Sequence, residues 1–120
     1  MTRDKVWFVV SLDIHEGKLE AFEAMSQKMA ARTEEEAGTL AYEFCLSDDR
    51  TRCRLVEEYV DAQAVLTHMT SPVVQEMVPQ LFESSTISGF EVYGDPGIRA
   101  GEILKSVGAE LFGPWHGYTR

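Results

Sequence analysis

Apolar and polar positions follow two different periods along the first half of the chain, and each period predicts an element. Residues 6–12 are β-branched, aromatic and apolar on both faces, which predicts a central strand covered on both sides. Residues 16–35 carry apolar side chains at spacings of three and four, which predicts an amphipathic helix with its solvated end at residues 34–36. Gly38 can then stop this helix in the left-handed conformation. Strict alternation over residues 40–46 predicts a second strand.

The second half of the chain begins with turn residues and a third strand. Residues 47–51 have turn chemistry, and residues 54–60 complete a hairpin. Asp61 is suited to cap a helix over residues 62–69, and Pro72 to begin a second helical segment that Pro79 can kink. Residues 86–93 predict a fourth strand with Gly89 at a bulge.

The order of these elements predicts the α+β class with the ferredoxin-like βαββαβ pattern. Right-handed crossovers would place strands one and three in the middle of a four-stranded antiparallel sheet, with the helices on one face. Because the first strand is apolar on both faces, the uncovered face predicts a homodimer in which two sheets pack face to face, as a dimeric α/β barrel.

The chain divides into a domain over residues 1–95 and a C-terminal extension over residues 96–120. Residues 98–107 predict a short helix that Gly108 ends. The remaining residues form an aromatic, glycine-rich tail that contains Trp115 and Tyr118. Such side chains favour burial, so we expect the tail to pack on its own domain or across the dimer.

Composition excludes several classes of protein. The formal net charge of −9, without a block of Lys or Arg, argues against nucleic-acid binding. The longest apolar run, residues 6–10, is far short of the roughly 20 residues that span a bilayer. The first residues lack the apolar segment of a signal peptide, so we expect a cytoplasmic protein that does not bind membranes.

Two cysteines and three histidines offer little for metal binding. A turn centred on Asp49 would pair Cys45 with Cys53 across the hairpin, and without an export signal two reduced thiols are favoured over a disulfide. The histidines are isolated from one another and from the cysteines, so no metal site is predicted.

His68 is the leading candidate for chemistry. It lies three residues after Val65 on a helix that covers the sheet, where it could face a pocket and act as a general base. A helix-surface or structural histidine is the alternative. Glu57 could orient His68 from the sheet, and the turn centred on Asp49 would place Glu43 on the same face. If the register differs by one residue, Glu58 is the buried carboxylate instead.

Aromatic side chains of the predicted strands and helices could line a pocket for a flat hydrophobic ligand, although ordinary core packing is favoured for each one singly. The candidates for substrate binding are Trp7, Tyr42, Phe44, Tyr59, Phe82 and Phe90.

Two short motifs resemble those of the antibiotic biosynthesis monooxygenase family. Glu36-Ala37-Gly38 followed by Tyr42-Glu43 is similar to the family's Glu-Pro-Gly and Tyr-Glu pattern, with Ala37 in place of proline. Glu57-x-Tyr59, followed by a helix with His68 and then Ser71-Pro72, is similar to the family's Glu-x-Trp, helix and histidine. The resemblance covers residue 5 to about residue 93.

The resemblance implies a dimeric ferredoxin-like protein that oxidises a small phenolic, quinol or polycyclic aromatic molecule with O₂ and without a cofactor. His68 would be the base, Glu57 its orienting partner, and Tyr42 and Tyr59 substrate contacts. A non-catalytic small-molecule-binding or stress-response dimer and a cofactor-free isomerase are the alternatives.

The sequence departs from the family pattern at several positions. Val73 stands where family members often have a second histidine. The haem-degrading branch has tryptophan near the position of His68, histidine where Val78 stands, and an asparagine on the first strand. This chain contains no asparagine, so haem degradation is disfavoured.

Overall fold

In the computed structural model, which describes residues 4–120, the chain forms an open sheet with helices on one face. The absence of a signal peptide was predicted partly from residues 1–3, which lie outside this range. The described elements, in chain order, are β1 (Val6–Ile14), α1 (Leu19–Thr33), β2 (Thr39–Leu46), β3 (Arg52–Tyr59), α2 (Ala62–Met69), α3 (Pro72–Leu81), β4 (Ser85–Tyr93), α4 (Ile98–Ser106) and β5 (Glu110–Phe112). Within residues 4–120, no helix has both the length and the apolar character needed to cross a membrane.

The sheet has the strand order β2-β3-β1-β4-β5. The central positions predicted for β1 and β3 are confirmed, and β1 pairs antiparallel with both β3 and β4. The predicted sheet of four antiparallel strands is wrong, because β5 adds a fifth strand parallel to β4. A parallel neighbour requires a crossover connection, and α4 provides it. The fold is therefore ferredoxin-like α+β with a mixed sheet.

The core forms two clusters of buried side chains between the sheet and the helices. One cluster joins β1 to α1 and α3 and includes Leu12, Phe22 and Met77. The other joins β1 to α2 and α4 and includes Val65 and Leu104. The extension therefore supplies part of the core through α4. Trp115 and Tyr118 are exposed in the single chain, so a partner for the end of the tail stays a prediction.

The face of the sheet opposite the helices, the open face, carries apolar side chains that are half-buried in the single chain. Trp7 and Val9 of β1 and Val56 of β3 lie there with intermediate exposure, because side chains alternate along a strand. Glu58 shares this face and forms an ion pair with Lys5 at 2.9 Å. This open face therefore carries a small apolar patch, and the charged side chains of Glu43, Glu58 and Glu91 lie around it.

The hairpin between β2 and β3 differs from the predicted register by one residue. Tyr42 pairs with Glu57, Glu43 with Val56, and Cys45 with Arg54. The turn is therefore centred between Asp49 and Arg50, where Arg50 takes a left-handed conformation with φ 62°.

This register separates the two cysteines. Cys45 is exposed on one face and Cys53 is buried on the other, and both are free thiols. Burial raises the pKa of the Cys53 thiol to about 11, which keeps it protonated near neutrality.

Gly38 serves a purpose other than the predicted one. Gly38 is not among the described residues that have a left-handed backbone conformation, and α1 has already ended at Thr33. A Cβ atom at residue 38 would lie 2.6 Å from Cβ of Ala64, so the absence of a side chain lets the start of β2 approach α2.

Candidate active site

A cavity of about 200 Å³ lies between the sheet and the helices, where the two core clusters meet. Most of its wall is apolar. The strands contribute Phe8, Val10, Leu12, Leu55, Ile87 and Phe90. The helices and their ends contribute Met29, Met69, Val74, Val78, Leu81, Phe82 and Val107. The polar lining side chains are Tyr42, Glu57 and His68. A ligand in this cavity therefore meets apolar surface except at one polar corner.

The sheet register and the capping of α2 create the polar corner. Tyr42 and Glu57 lie opposite each other on neighbouring strands, so both side chains point toward the helices. The Asp61 carboxylate accepts a hydrogen bond from the backbone N–H of Ala64 at 2.9 Å and fixes the start of α2. Val65 is buried in the core, and His68, three residues later, shares its face and is only 3% exposed.

His68 is held by a carboxylate that the sequence analysis did not select. Its Nδ1 lies 2.8 Å from Oε1 of Glu36, which also accepts a hydrogen bond from the Thr39 hydroxyl at 3.0 Å. A carboxylate can only accept, so Nδ1 carries the proton in this hydrogen bond. In the neutral imidazole, Nε2 is then the basic nitrogen, and it lies 3.7 Å from Oε1 of Glu57.

Glu57 is a buried acid with an altered proton affinity. Burial raises its pKa to about 7, against the opposing effects of the nearby His68 and of the hydrogen bond that the Tyr59 hydroxyl donates to Oε1. The group can therefore exist in either protonation state near neutral pH, which suits proton transfer.

Two tyrosines flank the histidine. The ring centroids of Tyr42 and Tyr59 lie 5.6 Å and 5.5 Å from that of His68. Burial, with a contribution from the Glu57 charge, raises the pKa of both hydroxyls above the ordinary value. Both tyrosines therefore stay protonated and can donate hydrogen bonds. Tyr59 donates to Glu57, whereas Tyr42 lines the cavity.

Five of the eight residues selected from the sequence line the cavity, namely His68, Glu57, Tyr42, Phe82 and Phe90. Tyr59 lies beside Glu57 and is fully buried. Phe44 is outside the lining and packs between Phe22 and Tyr42, with ring-centroid distances of 6.1 Å and 5.7 Å.

Trp7, a predicted substrate contact, does not line the cavity. It follows Val6 and precedes Phe8, both of which point toward the helices, so its own side chain lies on the open face of the sheet.

The choice among the three candidate carboxylates is now resolved in geometric terms. Glu57 is in the cavity, and Glu43 lies on the open face because the hairpin register differs from the predicted one. Glu58 was expected to be buried if the register changed by one residue, but it lies on the open face because it alternates with Glu57 along β3. The sequence does not predict a role for the Glu36 carboxylate in the site, because residues 34–36 have the composition of a solvated helix end. The sequence feature that points to Glu36 is the Glu36-Ala37-Gly38 motif, which resembles the family's Glu-Pro-Gly.

The family model for antibiotic biosynthesis monooxygenases matches residues 6–80, well over half of the chain. The chain belongs to this family.

Within residues 4–120, no group of three or more His, Cys, Asp or Glu side chains is arranged to hold a metal ion. No curated protein sequence matches the chain.

Solved structures extend the comparison beyond the antibiotic biosynthesis monooxygenase domain. MupZ from Pseudomonas fluorescens is 25% identical, with a TM-score of 0.83, and the match covers 98% of this chain and 96% of MupZ. It therefore includes the C-terminal extension.

Other structures match a smaller part of the chain. SnoaB, a cofactor-independent oxygenase from Streptomyces nogalater, is 18% identical, with a TM-score of 0.69 and coverage of 81% and 98%. SO0527 from Shewanella oneidensis is 29% identical, with a TM-score of 0.64 and coverage of 76% and 88%.

Proposed function

We propose that this protein is a cofactor-independent monooxygenase that oxidises a small phenolic, quinol or polycyclic aromatic molecule with O₂. Membership of the antibiotic biosynthesis monooxygenase family supports this assignment. The observation that carries it is the Glu36–His68–Glu57 set at the polar corner of an otherwise apolar cavity. Such a cavity can hold an aromatic ring and exclude water from the reactive anion, and His68 at its polar corner can remove a proton from the ring.

The first step is deprotonation of the substrate. The substrate enters as the keto tautomer of a phenol, in which one ring carbon is a CH₂ group. His68 Nε2 accepts a proton from this CH₂ group. The other proton stays on Nδ1, and the Glu36 carboxylate that accepts its hydrogen bond at 2.8 Å stabilises the imidazolium that forms. The Tyr42 hydroxyl donates a hydrogen bond to the oxygen on which the negative charge of the substrate accumulates.

Oxygen then reacts with this anion. The carbanion adds to O₂ and forms a carbon–oxygen bond, and the peroxide anion takes the proton back from His68. Loss of the second proton from the same carbon breaks the O–O bond and gives a carbonyl group and water. The balance is R₂CH₂ + O₂ → R₂C=O + H₂O, with all electrons supplied by the substrate. Glu57 lies beside His68 and can assist the second proton transfer, because its pKa of about 7 permits both states.

Oxygen uptake with a panel of hydroquinones and naphthols tests this function. We expect one O₂ consumed per substrate, with the rate lowered about 100-fold or more in His68→Ala, as is typical for the loss of a general base. His15→Ala is the matched control, because His15 is exposed and its Nε2 hydrogen-bonds to the Thr86 hydroxyl at 2.7 Å, on the β4 side of the sheet. Uptake that survives in His68→Ala would contradict the assignment.

A cofactor-free isomerase is a second candidate, favoured by the pairing of a basic histidine with an acid that titrates near neutrality. Product formation under nitrogen, with solvent deuterium incorporated at carbon, would support it over the monooxygenase. Binding without turnover under either atmosphere would instead indicate a non-catalytic small-molecule-binding protein.

We also propose that the protein is a homodimer whose interface is the open face of the sheet. The half-buried Trp7, Val9 and Val56 support this, together with Tyr93 and Phe112, whose rings stack at 5.2 Å. A second copy would cover this apolar surface without closing the cavity, which lies on the helix side. A cytoplasmic location stays a prediction.

A further inference from the structure

The polar corner and the most exposed wall residues of the cavity lie at opposite ends of the sheet surface. Glu57 belongs to β3 and pairs with Phe8, whereas Ile87 belongs to β4 and pairs with Leu12, four residues further along β1. Two strand spacings and four residue steps separate the two positions by roughly 16 Å. The cavity is therefore elongated along a diagonal of the sheet.

Three apolar side chains at the Ile87 end are exposed although they line the cavity. Val107, at the end of α4, is 54% exposed. Phe82, at the end of α3, is 40% exposed, and Ile87 of β4 is 36% exposed. Exposed apolar residues that also contact the cavity mark its opening, which we call the mouth. Val107 follows α4 in the C-terminal extension, residues 96–120, so the extension completes the mouth.

The chemistry of the wall limits what can enter. No lysine or arginine lines the cavity among the described residues, and the buried carboxyl group of Glu57 disfavours a second negative charge. A volume of about 200 Å³ is smaller than the roughly 300–1,000 Å³ typical of pockets for drug-sized ligands. The enclosed part of the ligand is therefore small and uncharged.

We propose that the substrate is an uncharged one- or two-ring phenol with an apolar chain that leaves through the mouth, and that Val107 of the extension selects for this chain. The proposal rests on the proposed function only in placing the phenol ring at the polar corner, beside His68 and Tyr42. The ring occupies the enclosed volume, and the chain lies against Phe82, Ile87 and Val107. Each methylene that the mouth buries strengthens binding about fourfold.

Binding can be measured by calorimetry under nitrogen, which separates it from turnover. The probes are 4-methylphenol, 4-hexylphenol and 4-hydroxybenzoate. We expect 4-hexylphenol to bind at least about tenfold more tightly than 4-methylphenol, because two or more of its additional methylenes are buried at the mouth. We expect 4-hydroxybenzoate to bind at least about tenfold more weakly than 4-methylphenol, because its carboxylate enters an apolar wall.

Variants of Val107 test the selecting residue. Val107→Ala and Val107→Asn should weaken 4-hexylphenol binding by about threefold and about tenfold and leave 4-methylphenol binding unchanged. Both changes are at an exposed helix end, and thermal melting checks that each variant folds. Ile98→Ala and Ile98→Asn are the matched controls, because Ile98 is 85% exposed in the same helix and lies outside the cavity wall. Neither control should change the binding of either phenol.

Equal affinity for the two phenols, tight binding of 4-hydroxybenzoate, or Val107 variants without a selective effect would each overturn the inference. Its failure can be distinguished from failure of the proposed function. Chain-dependent binding without O₂ uptake in air would reject the monooxygenase and retain the inference. Oxygen uptake without any dependence on chain length would retain the monooxygenase and reject the inference.

Discussion

Nδ1 of His68 and Oε1 of Glu36 lie 2.8 Å apart, although 32 residues separate them in the sequence. The contact joins the last turn of α2 to the loop that follows α1. It fixes which ring nitrogen carries the proton and leaves Nε2 as the base at the cavity.

We expect Glu36→Gln to lower the rate of oxygen uptake about tenfold to 100-fold, because the amide can still accept from Nδ1 but no longer stabilises an imidazolium by charge. Glu36→Ala should also destabilise the fold by about 1–3 kcal/mol, since it leaves the buried Nδ1–H without an acceptor. Steady-state kinetics and urea unfolding measure the two effects. Glu35→Gln, an exposed neighbour, should change neither. A Glu36→Gln enzyme with full activity would show that Glu36 has only a structural role.

Glu57 should make stability depend on pH. Its native pKa of about 7 lies above its ordinary value of 4.5, so between these values the native state binds more protons than the unfolded state. The free energy of unfolding should therefore fall as pH rises through this window, by a total of about 3 kcal/mol. Urea unfolding at pH 4.5, 5.5, 6.5 and 7.5 measures this decline.

Glu57→Gln should remove this component of the decline, whereas Glu58→Gln should retain it. Glu58 is a suitable control because it neighbours Glu57 on β3 but lies on the other face in an ion pair with Lys5. If the two variants have the same pH dependence as the unmutated protein, Glu57 does not titrate in this window.

Gly38→Ala should destabilise the protein by about 1–3 kcal/mol, because the new Cβ would lie 2.6 Å from Cβ of Ala64 and α2 would have to shift. Thermal melting measures this loss. The double variant Gly38→Ala/Ala64→Gly should recover part of this stability. About 1 kcal/mol should remain lost, because glycine is unfavourable within a helix. Gly113→Ala is the control, because a Cβ added there would have no atom within 4 Å beyond its chain neighbours. An equal effect of both alanine substitutions would argue against a close contact at Gly38.

Two truncations should separate the roles of β5 and the tail. Deletion of residues 109–120 removes β5 and the packing of Leu111 on the second core cluster, so we expect a loss of about 1–3 kcal/mol. Deletion of residues 113–120 removes only exposed residues of the single chain and should leave its unfolding free energy unchanged. Urea unfolding measures both. A large loss in the shorter truncation would show that Trp115 or Tyr118 is buried, for example across a dimer.

Val9→Asp should convert the proposed dimer to a monomer. Val9 lies on the open face between Val56 and Glu91, so the new carboxylate would be buried against an apolar partner surface and near an existing negative charge. Sedimentation velocity at micromolar concentration measures the change, with Ile98→Asp as the exposed apolar control. A monomeric unmutated protein would contradict the dimer, and a dimeric Val9→Asp variant would place the interface elsewhere.

Local signals in the sequence were sufficient for most of the element boundaries. The helix predicted over residues 62–69 is α2 as observed, because Asp61 caps its start and Ser71-Pro72 prevents it from continuing. The bulge predicted at Gly89 is also present, since the register between β1 and β4 shifts after the pairing of Ser11 with Gly89. Each of these features depends on residues close together in the chain.

The sequence by itself determined the order of the elements and the helix-covered face of the sheet, because periodicity and capping act over a few residues, and it left open whether His68 faces inward. Tertiary structure alone decided that Glu36 contacts His68, that Glu57 rather than Glu43 faces the cavity, and that β5 joins β4. Those outcomes depend on one left-handed residue, Arg50, and on contacts between distant segments, whose energies no local pattern in the sequence records.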